Sequence, residues 1–363
     1  MNRLKSRVSL IALALVLVFS MFTGCSSKNN TAQQSTTNTV TDDAGRKVTI
    51  PSKIDKVYYT SPIGNIMVYC LAPDKMAGWA LKITDKEKKY VDEKYWDLPY
   101  LGSGSSKDAD NEGIIKAKPG VILYIGPDSV TSEATKTAAD KMQEQLKIPV
   151  LVLDGKIKNT KKTLIFLGNL LDVEDRAKEL VTYCNKTMND VVEKTKAIPD
   201  KEKVRVYYAE GPDGLATEGK GSPHAALLDI VNAVNVANIE VKGGKGMSEV
   251  SIEQVLNWNP DVILSWGTAR GGAYDKILSS PEWKNINAVK NNKVYEVPNV
   301  PFNWFDRPPS LNRYLGLKWL PALMYPNYYK VDMVKETKDF YNLFYHVNLT
   351  DEDAKALLKN SGF

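Results

Sequence analysis

Glu112-Gly-Ile-Ile-Lys-Ala-Lys-Pro119-Gly-Val-Ile-Leu123 returns later in the chain as Glu253-Gln-Val-Leu-Asn-Trp-Asn-Pro260-Asp-Val-Ile-Leu264. Pro follows Glu by seven positions in both copies. Each copy reads as a Glu on a short helix, a turn through proline and a buried apolar strand. A repeat of this kind predicts two lobes of one plan, with Glu112 and Glu253 in equivalent places. Most glutamates are merely solvated surface groups. It is the matched spacing, not the residue type, that singles these two out.

Working outward, short apolar runs at 56–59, 76–79, 121–124, 150–153, 204–209, 262–265 and 294–297 alternate with helical stretches. That alternation predicts an α/β fold with two lobes and largely parallel sheets. Between the two sets of strands, Ala177, Leu180, Val181, Cys184, Met188, Val191 and Val192 recur at steps of three and four residues. The spacing predicts one long helix over 173–196, N-capped by Asp172 and stopped at Ile198-Pro199. At 1.5 Å per residue it spans roughly 36 Å and serves as a rigid strut between lobes. The expected organisation is an N-terminal lobe at 40–157, a linking helical segment at 158–199 and a C-terminal lobe at 200–363.

The start of the chain has a different character. Arg3, Lys5 and Arg7 precede the apolar run VSLIALALVLVFSMF, which ends at Thr23-Gly24-Cys25. A basic start, an apolar centre and small residues at the end describe a secretory signal at 1–24. Gly-Cys at the junction resembles the bacterial lipobox, although Phe22 stands where Leu is usual. The expectation is a lipid attached at Cys25 and a polar, flexible tether over 25–39. Localisation would be the extracytoplasmic face of the cell membrane, held by acyl chains such as palmitate alone.

The 363 residues are 43% hydrophobic and 25% charged, ordinary for a globular chain and incompatible with a multi-span membrane protein. Without the three N-terminal basic residues the net charge of +5 falls to about +2, which gives no reason to propose nucleic acid as partner. His224 and His346 are the only histidines, so a site of several imidazoles is excluded, and no protein-held metal is expected. The sequence has no Gly-x-Ser-x-Gly elbow, no His-Glu-x-x-His and no phosphate-binding Gly-Lys-Ser/Thr loop, so an enzyme is not expected. Cys70 and Cys184 lie among apolar neighbours and read as separate core thiols rather than a bridge.

Further segments carry a resemblance. Thr41-Asp-Asp-Ala-Gly-Arg-Lys-Val-Thr-Ile-Pro51 is similar to an opening strand pair, and Val250-Ser-Ile-Glu-Gln-Val-Leu256 to a segment of vitamin-B12-binding proteins. With the lipobox, the two lobes and the single linking helix, the chain resembles the periplasmic-binding-protein family serving iron-complex and vitamin B12 ABC importers. The resemblance implies a ligand cleft between the lobes and no catalysis. It also implies a monomer that docks on an ABC permease and its ATPase through one Glu per lobe, here Glu112 and Glu253. The Trp-Phe-acid-Arg order at Trp304 to Arg307 is similar to a cleft loop of the B12-binding members.

Ligands of open α/β sheets lie beyond the carboxyl ends of strands, and those ends are rich in rings. Tyr59, Trp79, Tyr124, Tyr208, Trp266, Trp304 and Arg307 are therefore the expected ligand-binding residues, with core packing the competing account of each ring. Arg307, with Arg313 one turn on, reads as an anion site at a helix start, or else as an arginine paired to Asp306 or another acid. His224, after Ser222 as N-cap, reads as exposed, with contact to a ligand or a bound metal as the alternative. The leading expectation for the cargo is a metal chelate such as a ferric siderophore. Alternatives are a corrinoid, which suits the Trp304 loop, and molybdate or tungstate, bound by relatives with similar C-terminal halves. A surface enzyme or an adhesin is the rival from another class.

Overall fold

The computed structural model describes residues 36–104, 109–126, 130–241 and 246–363. Cys25, the signal-like segment, most of the tether, Lys242 and Lys245 lie outside them. Among the described residues no helix is long and apolar enough to cross a membrane.

The opening hairpin pairs β1 (Thr37–Thr41) with β2 (Lys47–Pro51), so β1 takes in the last three residues of the expected tether. Asp42 sets its turn, accepting from Ala44 N and Arg46 N at 3.0 and 2.9 Å. The chain then runs through β3 (Val57–Tyr59), α1 (Pro62–Leu71), α2 (Asp85–Lys88), α3 (Asn111–Ala117), β4 (Val121–Gly126), α4 (Glu133–Leu146) and β5 (Val150–Asp154). Strands β3, β4 and β5 form a parallel three-stranded sheet in that order. Residues 76–79 do not form the expected strand. Only isolated bridges, Met76 to Val57 and Trp79 to Tyr100, hold that stretch beside the sheet.

Two helices then link the halves, α5 (Thr160–Leu170) and α6 (Glu174–Lys196). In α6 the buried stripe is Ala177, Leu180, Val181, Cys184, Thr187, Val191 and Thr195, while Val192 is exposed. Asp172 is not its cap. It sits at φ +54 in the bend between the two helices, and Val173 occupies the N-cap position.

The second half runs through β6 (Arg205–Ala209), β7 (Ala216–Thr217), α7 (Ala226–Ile230), β8 (Val234–Asn235), β9 (Ser248–Glu249) and α8 (Ile252–Trp258). It continues with β10 (Val262–Ser265), α9 (Tyr274–Ser279), α10 (Asn287–Lys290) and β11 (Val294–Glu296). Its four-stranded sheet has the order β11-β10-β6-β8, all parallel. The fold is thus α/β with largely parallel sheets, as the alternation predicts.

The repeat has a structural basis. α3 and α8 are both seven residues long, with the Glu at the second position of each. Asp110 caps the first, accepting from Gly113 N at 2.8 Å, and Ser251 caps the second in a box with Gln254. Ile114 and Val255 anchor the inner faces. Each helix ends on a left-handed residue, Lys118 at φ 51 and Asn259 at φ 40, followed directly by the proline that turns the chain into β4 or β10.

Three C-terminal helices complete the fold: α11 (Arg313–Met324), α12 (Met333–Tyr345) and α13 (Asp351–Leu358). α11 packs on α6, and α12 packs back on α1 of the first half. Tyr69 donates to Tyr345 O at 2.6 Å, and Arg176 bridges Cys70 O and Leu343 O. One apolar cluster consequently runs from Val57 and Leu123 through Leu180 to Leu264, Trp319 and Phe344. Cys70 and Cys184 are free and buried within it, and burial pushes both thiols well above the ordinary range. Gly316 lets α11 approach the loop before it, because a Cβ there would stand 2.0 Å from Trp304 O.

Candidate functional site

Most of the rings at the strand ends face inward. Tyr59 and Tyr208 are fully buried, Trp79 is 2% exposed and Trp304 is 0% exposed. Their polar atoms are largely used inside the protein. Tyr59 donates to Gly78 O, and Trp79 Nε1 donates to Tyr95 O at 2.8 Å. β3 shows why: Val57, Tyr58 and Tyr59 are all buried, so both faces of this short strand are covered. Tyr124 is half-buried and packs on a cluster containing Ile122 and Val150. Trp266, also half-buried, donates from Nε1 to Tyr208 Oη and lies under Arg307, whose guanidinium carbon is 6.0 Å from the ring centre.

Arg307 does not begin a helix; α11 starts only at Arg313. It sits at φ +49 in the loop after β11, tied to three carboxylates. Its Nε donates to Glu210 Oε1 at 2.6 Å and its Nη2 to Glu218 Oε1 at 2.5 Å, with Asp306 Oδ2 3.6 Å from Nε. Asn303 shapes the loop, its Oδ1 accepting from Phe305 N and Asp306 N at 2.8 and 2.9 Å. Ser310 fastens it to the first lobe by donating to Ile63 O at 3.0 Å. Arg313, expected to help hold an anion, is buried and bonded to Asp306 Oδ1 at 3.1 Å and to the carbonyls of Phe305, Pro223 and His224. Its role is to fix the loop.

His224 is buried rather than exposed. Its Nδ1 lies 2.9 Å from Asp306 Oδ2. The acid selects the tautomer with hydrogen on Nδ1, which leaves Nε2 as the remaining polar atom of the ring. Ser222 caps no helix, since α7 begins at Ala226. Its hydroxyl accepts from His224 N at 3.2 Å and donates to Glu218 Oε2 at 2.7 Å.

Three buried acids thus face two arginines and one imidazole. Burial raises the Glu210 carboxyl to about 8, although the adjacent Arg307 opposes the rise. Its Oε2 has no hydrogen-bond partner among the described residues. A neutral Glu210 leaves Glu218 and Asp306 to balance Arg307 and Arg313. Burial also lowers Arg313, with Asp306 acting the other way. Glu218, His224 and Asp306 place ligand atoms within 4.8 Å of one another, a grouping that could hold a cation. Two guanidiniums already bond to these carboxylates, so the grouping reads better as an anchor for Arg307 and His224 than as a metal centre. The pairing of Arg307 with Asp306 is readable from their adjacency, whereas Glu210 and Glu218 lie far from both in sequence and are not singled out by it. The available signal was Glu210 and Glu218 flanking β7, together with the Asp306-Arg307 pair.

The network borders two cavities between the lobes. The first, about 120 Å³, has Leu81 on the N-terminal side and Trp266, Arg270, Asn303 and Arg307 on the other. The second, about 510 Å³, lies between the loop after β5 (Gly155, Lys156, Ile157) and Pro223, Ile230 and Arg313. Hydroxyls of Ser61 and Ser103 stand just past the end of β3, bonded to Ile125 O and Thr60 O. Glu112 and Glu253 lie elsewhere, exposed on their helices, and a hydrogen bond from Ser251 holds the Glu253 carboxyl below its usual range.

Comparison with known proteins places this geometry in context. The chain is 28% identical over 344 residues to the molybdate-binding protein MolA of Haemophilus influenzae, covering 87% of this chain and 93% of that one. It is 28% identical over 309 residues to YvrC of Bacillus subtilis, an uncharacterized ABC transporter substrate-binding lipoprotein, covering 81% and 90%. The structure of an ABC transporter solute-binding protein from Sulfurospirillum deleyianum superposes with a TM-score of 0.80 at 31% identity, covering 88% of this chain and 99% of that one. A model of the periplasmic binding protein family matches residues 60–301, and the chain belongs to that family, whose members here are solute-binding parts of ABC transporters rather than enzymes.

Proposed function

We propose that this protein captures a small metal oxyanion, molybdate or tungstate, between its lobes and delivers it to an ABC permease and its ATPase while anchored by lipid at Cys25. The observation that carries this reading is the cavity beside Trp266 and Arg307. At about 120 Å³ it falls below the roughly 300–1,000 Å³ of pockets that enclose drug-sized ligands. A compact anion needs hydroxyls, amides and cationic groups more than ring faces. The rings Tyr59, Trp79, Tyr208 and Trp304 are enclosed, whereas Trp266, Arg270 and Arg307 line the cavity. The near-full-length similarity to a molybdate-binding protein supports the same reading.

A ferric siderophore is the second reading, favoured by the cavity of about 510 Å³ with Lys156, Lys158 and Arg313 on its walls. A corrinoid has less support, since Trp304 has no exposed face to offer it. Thermal melts of the mature protein with molybdate, tungstate, ferric siderophores, haem and corrinoids separate these. Ligand at a hundred times its dissociation constant stabilises by about 2.7 kcal/mol. A shift with siderophores and none with either oxyanion overturns the first reading.

Docking is proposed to run through Glu112 and Glu253, matched carboxylates on matched helices that suit a two-fold basic partner. Reversing both charges should abolish uptake in cells while ligand affinity stays within about two-fold. Undiminished uptake would remove these two residues from the interface.

A further inference from the structure

Arg270 ends the turn Thr268–Arg270 that follows β10, and Gly271 redirects the chain at φ +75. Its side chain lines the smaller cavity beside Trp266 and Arg307, yet its guanidinium bonds across to Glu87 of the N-terminal lobe. The two partners are unequal. Arg270 is 42% exposed and long, whereas the Glu87 side chain is 6% exposed and pinned. Glu87 Oε2 accepts from Thr84 N at 2.9 Å and from the Thr84 hydroxyl, forming the capping box of α2. Lys89, one residue past α2, pairs with Asp353 of α13, so this segment is strapped to the C-terminal half beyond the cavity. Gly272 packs so tightly on Trp266 that a Cβ would stand 2.0 Å from Trp266 O. Arg270 and Trp266 therefore belong to one tightly closed turn at the end of β10, beside the cavity.

We propose that Glu87 and Arg270 form a latch between the lobes at the rim of this cavity, and that an entering anion takes Arg270 over from Glu87. In the exchange Glu87 keeps the Thr84 bonds at Oε2 and gives up the bond at Oε1, where the Arg270 guanidinium was held. A neutral solute gives Arg270 no reason to leave, so the latch selects for negative charge and sets the rates of entry and exit. The exchange half of this proposal rests on the anion reading above; the latch itself does not.

The first test needs no ligand. Hydrogen exchange of the 266–274 segment in the mature protein should be about 2- to 6-fold faster in Glu87→Gln and in Arg270→Gln, and no faster in the double variant than in either single one. Exchange equal to wild type in both single variants overturns the latch. The second test is tungstate dissociation, which should slow in Glu87→Gln by about the same 2- to 6-fold factor, because Glu87 no longer competes with the anion for Arg270. Unchanged dissociation in a variant with faster exchange overturns the gating role. If wild type binds no tungstate at all, the oxyanion reading fails while the exchange result still decides the latch.

Discussion

Replacing Arg307 with alanine will lower the stability of the folded protein by about 3–5 kcal/mol, the usual cost of breaking a buried ion pair and leaving its acid, here Glu218, without a cation. Arg307 holds Glu210 and Glu218 at 2.6 and 2.5 Å, and both acids are essentially inaccessible to water. Without the guanidinium, Glu218 keeps Ser222 and Met247 N as donors but loses its cation, whereas Glu210, already inclined to hold its proton, loses the donor at Oε1. Lysine will not substitute, because one ammonium cannot reproduce a fork that meets two acids through Nε and Nη2. Urea unfolding of wild type, Arg307→Ala, Arg307→Lys and Arg307→Ala with Glu218→Gln checks this. The double variant should recover part of the loss. A single variant within 1 kcal/mol of wild type would show that water reaches these acids and that the network is not closed.

The second large effect is a pH profile. With its carboxyl near 8 in the folded protein and an ordinary value of 4.5, Glu210 keeps its proton on folding across a window where the unfolded chain has released it. The folded state therefore binds more protons between those values, and stability falls as pH rises through the window, levelling above about 8. At 1.36 kcal/mol per unit, reduced for the coupling to Arg307, the difference amounts to about 2–5 kcal/mol. Glu210→Gln keeps the shape and removes the titration. Unfolding free energies of both proteins at intervals from pH 5 to 9 should diverge steadily, the variant gaining on wild type as pH rises. Parallel profiles would place Glu210 in water and remove its role. The comparison also cancels His346, which burial lowers and which weakens both proteins equally on the acid side.

The fold was legible where its determinants are local. A cap, a left-handed last residue and a proline lie within a dozen positions of Glu112 and again of Glu253, so the repeat could be read without knowing any long-range contact. The six strands recovered are apolar runs that pair in parallel, while β7, β8 and β9 are two residues each and leave no periodic trace. The site was less legible because a ring at a strand end looks the same whether it lines a cleft or fills a core. Tyr58 and Tyr59 are adjacent and point to opposite faces, yet both are enclosed, since the sheet is covered on both sides. The ion network depends on pairings such as Arg307 with Glu210, 97 positions apart, which no spacing rule reaches. His224 was misjudged for the same reason: its burial comes from the Asp306 loop, 82 positions away.

The apolar interior that passes unbroken through both halves has a corollary for unloading. Wide gaping would bring its seam into water at roughly 25 cal/mol for every Å² laid bare, so spontaneous yawning is suppressed. Cargo must instead leave by local loosening near the entrance, or be freed by mechanical work that the transporter draws from ATP.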